Sequence, residues 1–321
     1  MRAALILGFC LLASAVLAQP PSRPLRALVD SWSLPGYHAL PGSQGLQLPD
    51  GVAFASPSSV AITPDNHILV FDRGAVPFFE FSTDGKLIRS FGDKALFVRA
   101  HGLRVTPNGD IWVTDIGNHT VRKLDRDGKL LLTLGTEGKA GEWDEAREQR
   151  LFNEPNETAV DSKGNVYVVQ GHLRGEPRVL KFSSTGKFIK QWGSRGSAAG
   201  QFLAAHSIEI DPADKLYVAD RENQRIEQFD TEGKYLGEWT FNTLVCALFR
   251  HPDGTFYMTS GFDGEWAKLD AQGKVVGSLG SSGKATGQFG EAHYLALDRE
   301  SNAYIADVVN RRVQIYRHET E

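Results

Sequence analysis

Short apolar strings broken by turns recur along the whole chain, and no long stretch holds the 3.6-residue period of an amphipathic helix. Six strings share one design, a run of bulky apolar residues ending in a small, polar or acidic one. Ile68-Leu69-Val70-Phe71-Asp72, Ile111-Trp112-Val113-Thr114-Asp115 and Ala303-Tyr304-Ile305-Ala306-Asp307 are three of them; the others occupy residues 166–170, 216–220 and 256–260. Their ends are separated by 43, 55, 50, 40 and 47 residues, the spacing of units that are each a four-stranded antiparallel sheet. Within a unit an alternating strand, such as residues 206–210, comes first. The core string follows, then a third strand such as residues 225–229, a Gly-Lys turn, and an outer strand such as residues 188–192. The sixth unit ends without an outer strand. Residues 28–32 carry the same outer-strand pattern and are expected to close the ring from the N-terminal end, removing an exposed sheet edge. The linkers at residues 193–202 and 280–289 match position for position, which sets the register. The pattern predicts an all-β protein, a six-bladed β-propeller over residues 19–321.

Composition supports this and narrows the function. Glycine, at 33 of 321 residues, exceeds the usual share of about 7%, as many tight turns require. Thirty-five Lys+Arg against 39 Asp+Glu give a net charge of −4 with no long basic run, which argues against nucleic acid as a partner. The N-terminus reads as a secretory signal over residues 1–18: Arg2, an apolar run too short to span a membrane, then Val16-Leu17-Ala18 before Gln19. The expected product is secreted or periplasmic, monomeric, and free of the membrane once the signal is removed. Cys246 is then the only cysteine, so no intrachain disulfide can form.

Aligning the units on the ends of their core strings makes equal offsets equivalent places around the propeller axis. Fourteen residues before each end stand Ser58, His101, Asn156, His206, Cys246 and His293. The histidines fall in alternate units, about 120° apart around a six-fold channel. Three imidazoles converging on one point are a zinc-binding set with a coordination position to spare. One residue past the string ends, Arg73 and Arg221 belong to units that face each other across the ring. Two guanidiniums at one mouth suit a carboxylate; Asp72 and Asp220 beside them are the competing partners.

These residues resemble the peptidyl-α-hydroxyglycine α-amidating lyase (peptidylamidoglycolate lyase) family of six-bladed NHL-repeat propellers. The likeness runs from about Val60 to Tyr316. It is strongest in Ala100-His101-Gly102-Leu103, in Gly200-Gln201-Phe202 through His206-Ser207, and in Ala219-Asp220-Arg221-Glu222-Asn223. It implies Zn2+ on His101, His206 and His293, and substrate-binding roles for Arg73 and Arg221. It also implies a structural Ca2+ on the backbone carbonyls of Val60 and Leu103. The family's calcium aspartate corresponds to Tyr294 here, and its catalytic tyrosine to His172. Loss of the charged ligand counts against the calcium.

The implied reaction splits the C–N bond of an α-hydroxyglycine amide, a small molecule or peptide with a terminal carboxylate, into an amide and glyoxylate. His172 is the candidate base, since an imidazole with an ordinary pKa of about 6.5 suits proton transfer near neutrality. Two rivals stand beside this reading. One is a non-enzymatic propeller that binds protein or glycan, which leaves the histidine column unexplained. The other is a lactonase-type hydrolase, whose calcium prefers oxygen ligands to imidazole.

Overall fold

The computed structural model describes residues 34–42 and 45–319. Its strands form six four-stranded antiparallel sheets, the blades of a β-propeller. The first five blades run without interruption from inner to outer strand; blade II, for example, comprises Ala100–Val105, Ile111–Asp115, Thr120–Leu124 and Leu130–Leu134. The second strands coincide with the repeated apolar strings, and five of them match residue for residue; the fifth blade's stops at Thr259, one short, because Ser260 turns to bond Glu265. The second strands are buried along their whole length.

Blade VI holds Ala292–Leu297, Ala303–Asp307 and Arg312–His318, and its outer place is taken by Tyr37–Ala39. Tyr37 pairs with His318 and Ala39 with Tyr316, and the Tyr37 ring packs edge-on against Trp266 at 5.1 Å. Closure from the N-terminal end is therefore correct, but the segment differs from the expected one. Residues 28–32 lie outside the described residues, as does the whole of the expected signal at 1–18.

The Gly-Lys turns need glycine for a stated reason: Gly85, Gly128, Gly186, Gly233 and Gly273 all lie at φ between +78° and +85°, where a Cβ is strained. Apolar burial is not central. Six clusters, each shared by two neighbouring blades, form slabs between the sheets. That leaves the axis free for polar side chains.

The aspartates that end the second strands are fasteners. Asp115 accepts from the backbone N–H groups of Val98, Arg99, Gly117 and Asn118. Asp307 does the same for Gly290 and Glu291, Asp72 for Ala55, Ser56 and Gly74, and Asp220 for Leu203 and Ala204. Each ties the loop entering its blade to the loop leaving the second strand, so residues at one end of the channel sit on braced backbone.

A candidate metal centre in the propeller channel

The three column histidines start three inner strands, in Ala100–Val105, Ala205–Ile210 and Ala292–Leu297. Their rings meet on the axis, with centroids 4.8, 4.9 and 5.2 Å apart. All three are fully or almost fully buried. The rest of the column explains the alternation. His101 Nδ1 lies 2.9 Å from the carbonyl of Asn156, His206 Nδ1 2.6 Å from that of Cys246, and His293 Nδ1 2.7 Å from that of Ser58. A carbonyl can only accept, so each Nδ1 carries the proton and each Nε2 keeps its lone pair. Every histidine is thus oriented by the equivalent residue of the next blade.

Nε2 of His101 and of His206 is buried without any hydrogen-bond partner, a costly arrangement unless a ligand completes it. Burial is the main cause that drives the pKa of all three well below the ordinary histidine value. For His101 the neighbouring His293 and His172 add to it, for His206 Arg221 and His101, and for His293 Arg73. Neutral, pre-oriented imidazoles with unspent lone pairs fit a borderline-soft divalent cation such as zinc.

His172 joins them. Its ring centroid is 4.8 Å from that of His101 and 5.1 Å from that of His206, and one ligand nitrogen from each of the four histidines lies within 4.8 Å of the others. Burial, then Arg221, Arg99 and Arg73, push its pKa down to about 3.

The arginines surround the mouth. Arg73 donates Nε to the Ala100 carbonyl at 2.9 Å. Arg221 is held by Glu222 at 2.9 Å. Burial opposes the Arg221 charge, but Glu222 outweighs it and the pKa rises, whereas burial and Arg99 lower that of Arg73. Neither is paired with the aspartates that were its rivals: Asp220 takes Arg225, and Asp72 accepts backbone N–H groups.

Two residues at the mouth escaped the sequence reading. Arg99 and Glu291 each stand two residues before a column histidine, and the same column logic moved two places upstream would have exposed them. Burial raises the pKa of Glu291, opposed by Arg221, Arg73 and Arg99. Its carboxylate, Cys246 Sγ and a His293 nitrogen lie within 4.8 Å of one another. The guanidiniums of Arg73, Arg99 and Arg221 all act on His172 and Glu291, so the mouth offers forked donors to a carboxylate.

Below the imidazoles Tyr294 forms a floor, its hydroxyl donating to the His206 carbonyl at 3.1 Å. Val60 and Leu103 line a cavity of ≈ 90 Å³ with Arg104, Glu157 and Tyr294. The calcium that the resemblance implies, already doubtful for want of the aspartate, finds no fitting donor set there. The aspartate's place is taken by a tyrosine already bonded to a carbonyl, and the positive charge at this end is a guanidinium: Arg104 bonds Glu157 at 3.0 Å and Glu209 at 2.8 Å.

The fold and the site define a six-bladed propeller with a buried histidine centre in its channel. A family model described as a 6-bladed beta-propeller matches residues 158–288, and one for the NHL repeat matches residues 97–124. Human NHL repeat-containing protein 3 is 31% identical over 192 residues, covering 57% of this chain and 54% of that protein. A probable peptidyl-alpha-hydroxyglycine alpha-amidating lyase of Caenorhabditis elegans is 36% identical over 101 residues, 30% of this chain and 28% of the relative. The chain thus spans about half or less of the length of these relatives. Among solved structures, a gluconolactonase from Xanthomonas campestris superposes with a TM-score of 0.62 at 14% identity, over 95% of this chain and 99% of the other. That is a likeness of fold alone.

Proposed function

We propose that this protein is a zinc-dependent lyase that splits an α-hydroxyglycine amide into an amide and glyoxylate. The observation that carries the reading is the convergence of His101, His206 and His293. They are neutral and tied back through Nδ1, and the guanidiniums of Arg73, Arg99 and Arg221 act on the His172 beside them. A divalent ion held by the three would act as a Lewis acid and lower the pKa of the substrate hydroxyl. Arg73 and Arg221 grip the terminal carboxylate and fix the hydroxyl-bearing carbon over the histidines. A base takes the hydroxyl proton, the C–N bond breaks as the aldehyde carbonyl forms, and the departing amide nitrogen recovers a proton.

A His172 imidazole with its pKa pushed down to about 3 is a weak acceptor near neutral pH. The Glu291 carboxylate, whose pKa burial raises and which lies within reach of His293, is better placed for that step. Similarity to a relative named for this lyase activity supports the reading. Secretion after cleavage at Ala18, and a monomeric state, belong to the same proposal. Among the described residues no helix is long and apolar enough to cross a membrane.

The deciding assay measures glyoxylate released from a small α-hydroxyglycine amide by protein loaded with one equivalent of zinc. Release that a chelator stops and zinc restores supports the proposal. No release from the loaded protein, or hydrolysis of simple lactones in its place, refutes it.

A further inference from the structure

We propose that His172 is a fourth protein ligand of the metal centre, held in position by the carboxylate of Glu154. This rests on the three-histidine metal reading and assigns the site one more donor than the sequence column contains.

Four imidazole nitrogens within 4.8 Å of one another are close enough to converge on a single tetrahedral ion, whose donors about 2.0–2.1 Å from zinc stand about 3.4 Å apart. The ring of His172 stands 4.8 and 5.1 Å from those of His101 and His206, within the 4.8 to 5.2 Å that separate the three column rings from one another. Its Nδ1 is buried with no hydrogen-bond partner. An imidazole placed to donate or accept within the protein would have found one.

The loop that carries it is built to hold this pose. Gly171 adopts φ +92°, and a Cβ there would meet Pro177 Cα at 2.7 Å, so the chain turns inward where only glycine fits. Its N–H donates back to the carbonyl of Glu154 at 3.1 Å. Glu154 Oε2 then accepts from the N–H groups of Leu173 at 2.7 Å and Arg174 at 2.9 Å, clamping the two residues that follow the histidine. Gln170 Nε2 bonds the Glu176 carbonyl at 3.1 Å and closes the far side. Leu173 is 65% exposed, so apolar packing of the loop tip does not explain why His172 turns inward. Four protein donors would still let a zinc ion serve as a Lewis acid, since it accepts more than four ligands.

The test titrates dialysed protein with Co2+ and follows the visible absorption of the bound ion, with chelator competition for affinity and circular dichroism for folding. Wild-type protein should bind one ion and show the intense bands of a four-coordinate nitrogen site. His172→Ala should still bind cobalt, at least about 100-fold more weakly, with bands altered in position and intensity. Loss of an outer-sphere partner alone costs about 10–100-fold. Glu154→Gln should weaken binding by roughly 10-fold while keeping the bands; it serves as the readout should His172→Ala fail to fold. Unchanged affinity and bands in both variants, with His101→Ala abolishing binding, overturn the fourth ligand and leave the three-histidine centre standing. Undiminished binding by His101→Ala overturns the centre itself.

Discussion

The channel carries two polar clusters, one above the other, on the same inner strands. His101 and Arg104 lie three residues apart on one strand, as do His206 and Glu209 on another, so the clusters are about 10 Å apart along the axis. In the lower cluster almost every donor and acceptor is used. Arg104 bonds Glu157, Glu209 and the carbonyls of Thr158 and Ile208, and Glu157 also accepts from the Ser207 hydroxyl and the Ile208 N–H. Burial works against the Arg104 charge, but Glu209 and Glu157 outweigh it and raise its pKa. In the upper cluster the imidazoles are just as buried, and their Nε2 atoms at His101 and His206 have no partner. A satisfied network holds blades together; one left unsatisfied at comparable burial waits for something. Tyr294 separates the two, and a cleft of ≈ 630 Å³ at the lower end, between the turns of blades II to IV, is lined among the described residues by none of the buried polar atoms left without a partner.

The contrast predicts that substitutions above should cost function and those below stability. The largest effect is expected at His206. His206→Ala should bring glyoxylate release to background, a loss of at least about a thousandfold if the centre supplies several kcal/mol to the transition state, and should remove stoichiometric zinc from the purified protein. A variant that keeps both activity and metal ends the distinction between the clusters.

Next comes the lower cluster. Arg104→Met leaves Glu157 and Glu209 buried without their cation, and breaking such a pair costs about 3–5 kcal/mol. Urea unfolding should show that loss while glyoxylate release per folded molecule stays within a few-fold of wild type. A stable variant with abolished release would make the lower cluster functional as well.

Smaller again is the mouth. Arg221→Ala or Arg73→Ala should lower kcat/KM by roughly one to two orders of magnitude, the worth of one charge-assisted hydrogen bond, with zinc content unchanged. Arg→Lys should recover only part of it, because Lys lacks the planar fork. Full activity in both alanine variants removes the carboxylate clamp and leaves the metal centre intact.

How much of this was legible follows from which residues are buried and repeated. The second strands read clearly because they are apolar along their length and recur six times. The closing strand did not. Outer strands are half-exposed, as in Leu87–Phe91 and Tyr235–Thr240, so they carry little hydrophobic signal, and Tyr-His-Ala at 37–39 is too short to carry any. His101, His206 and His293 were visible because symmetry puts them at equal offsets. Glu291 and Arg99 share an offset as well, two residues before a column histidine, but they lie in loops and carry opposite charges, so neither strand pattern nor residue type marks them and only the column comparison does. The role of Glu154 depends on a carboxylate reaching across to backbone N–H groups nineteen and twenty residues on, which no spacing rule encodes. Tyr294 already counted against a calcium in the sequence, whereas the Arg104 guanidinium beside it shows only when Glu157 and Glu209 are seen to converge on it.

The smallest effect concerns pH and separates the clusters thermodynamically. Each upper imidazole has its pKa lowered on folding, chiefly by burial, to about 3 for His172, against about 6.5 in the unfolded chain. Below pH 6.5 the unfolded chain therefore binds protons that the folded one refuses, so stability is present above 6.5 and is lost as pH falls toward the folded pKa. Each such group makes the unfolding free energy of metal-free protein rise with pH by up to about 1.4 kcal/mol per unit in that window. His206→Gln removes one of them, and urea unfolding of the metal-free variant between pH 5 and 6 should have a slope shallower by about that amount. Arg104→Met should leave the histidine contribution to the slope in place. An unchanged slope for His206→Gln would mean that the imidazole is already protonated in the folded apo-protein, and that a proton, rather than a vacancy for metal, completes the upper cluster.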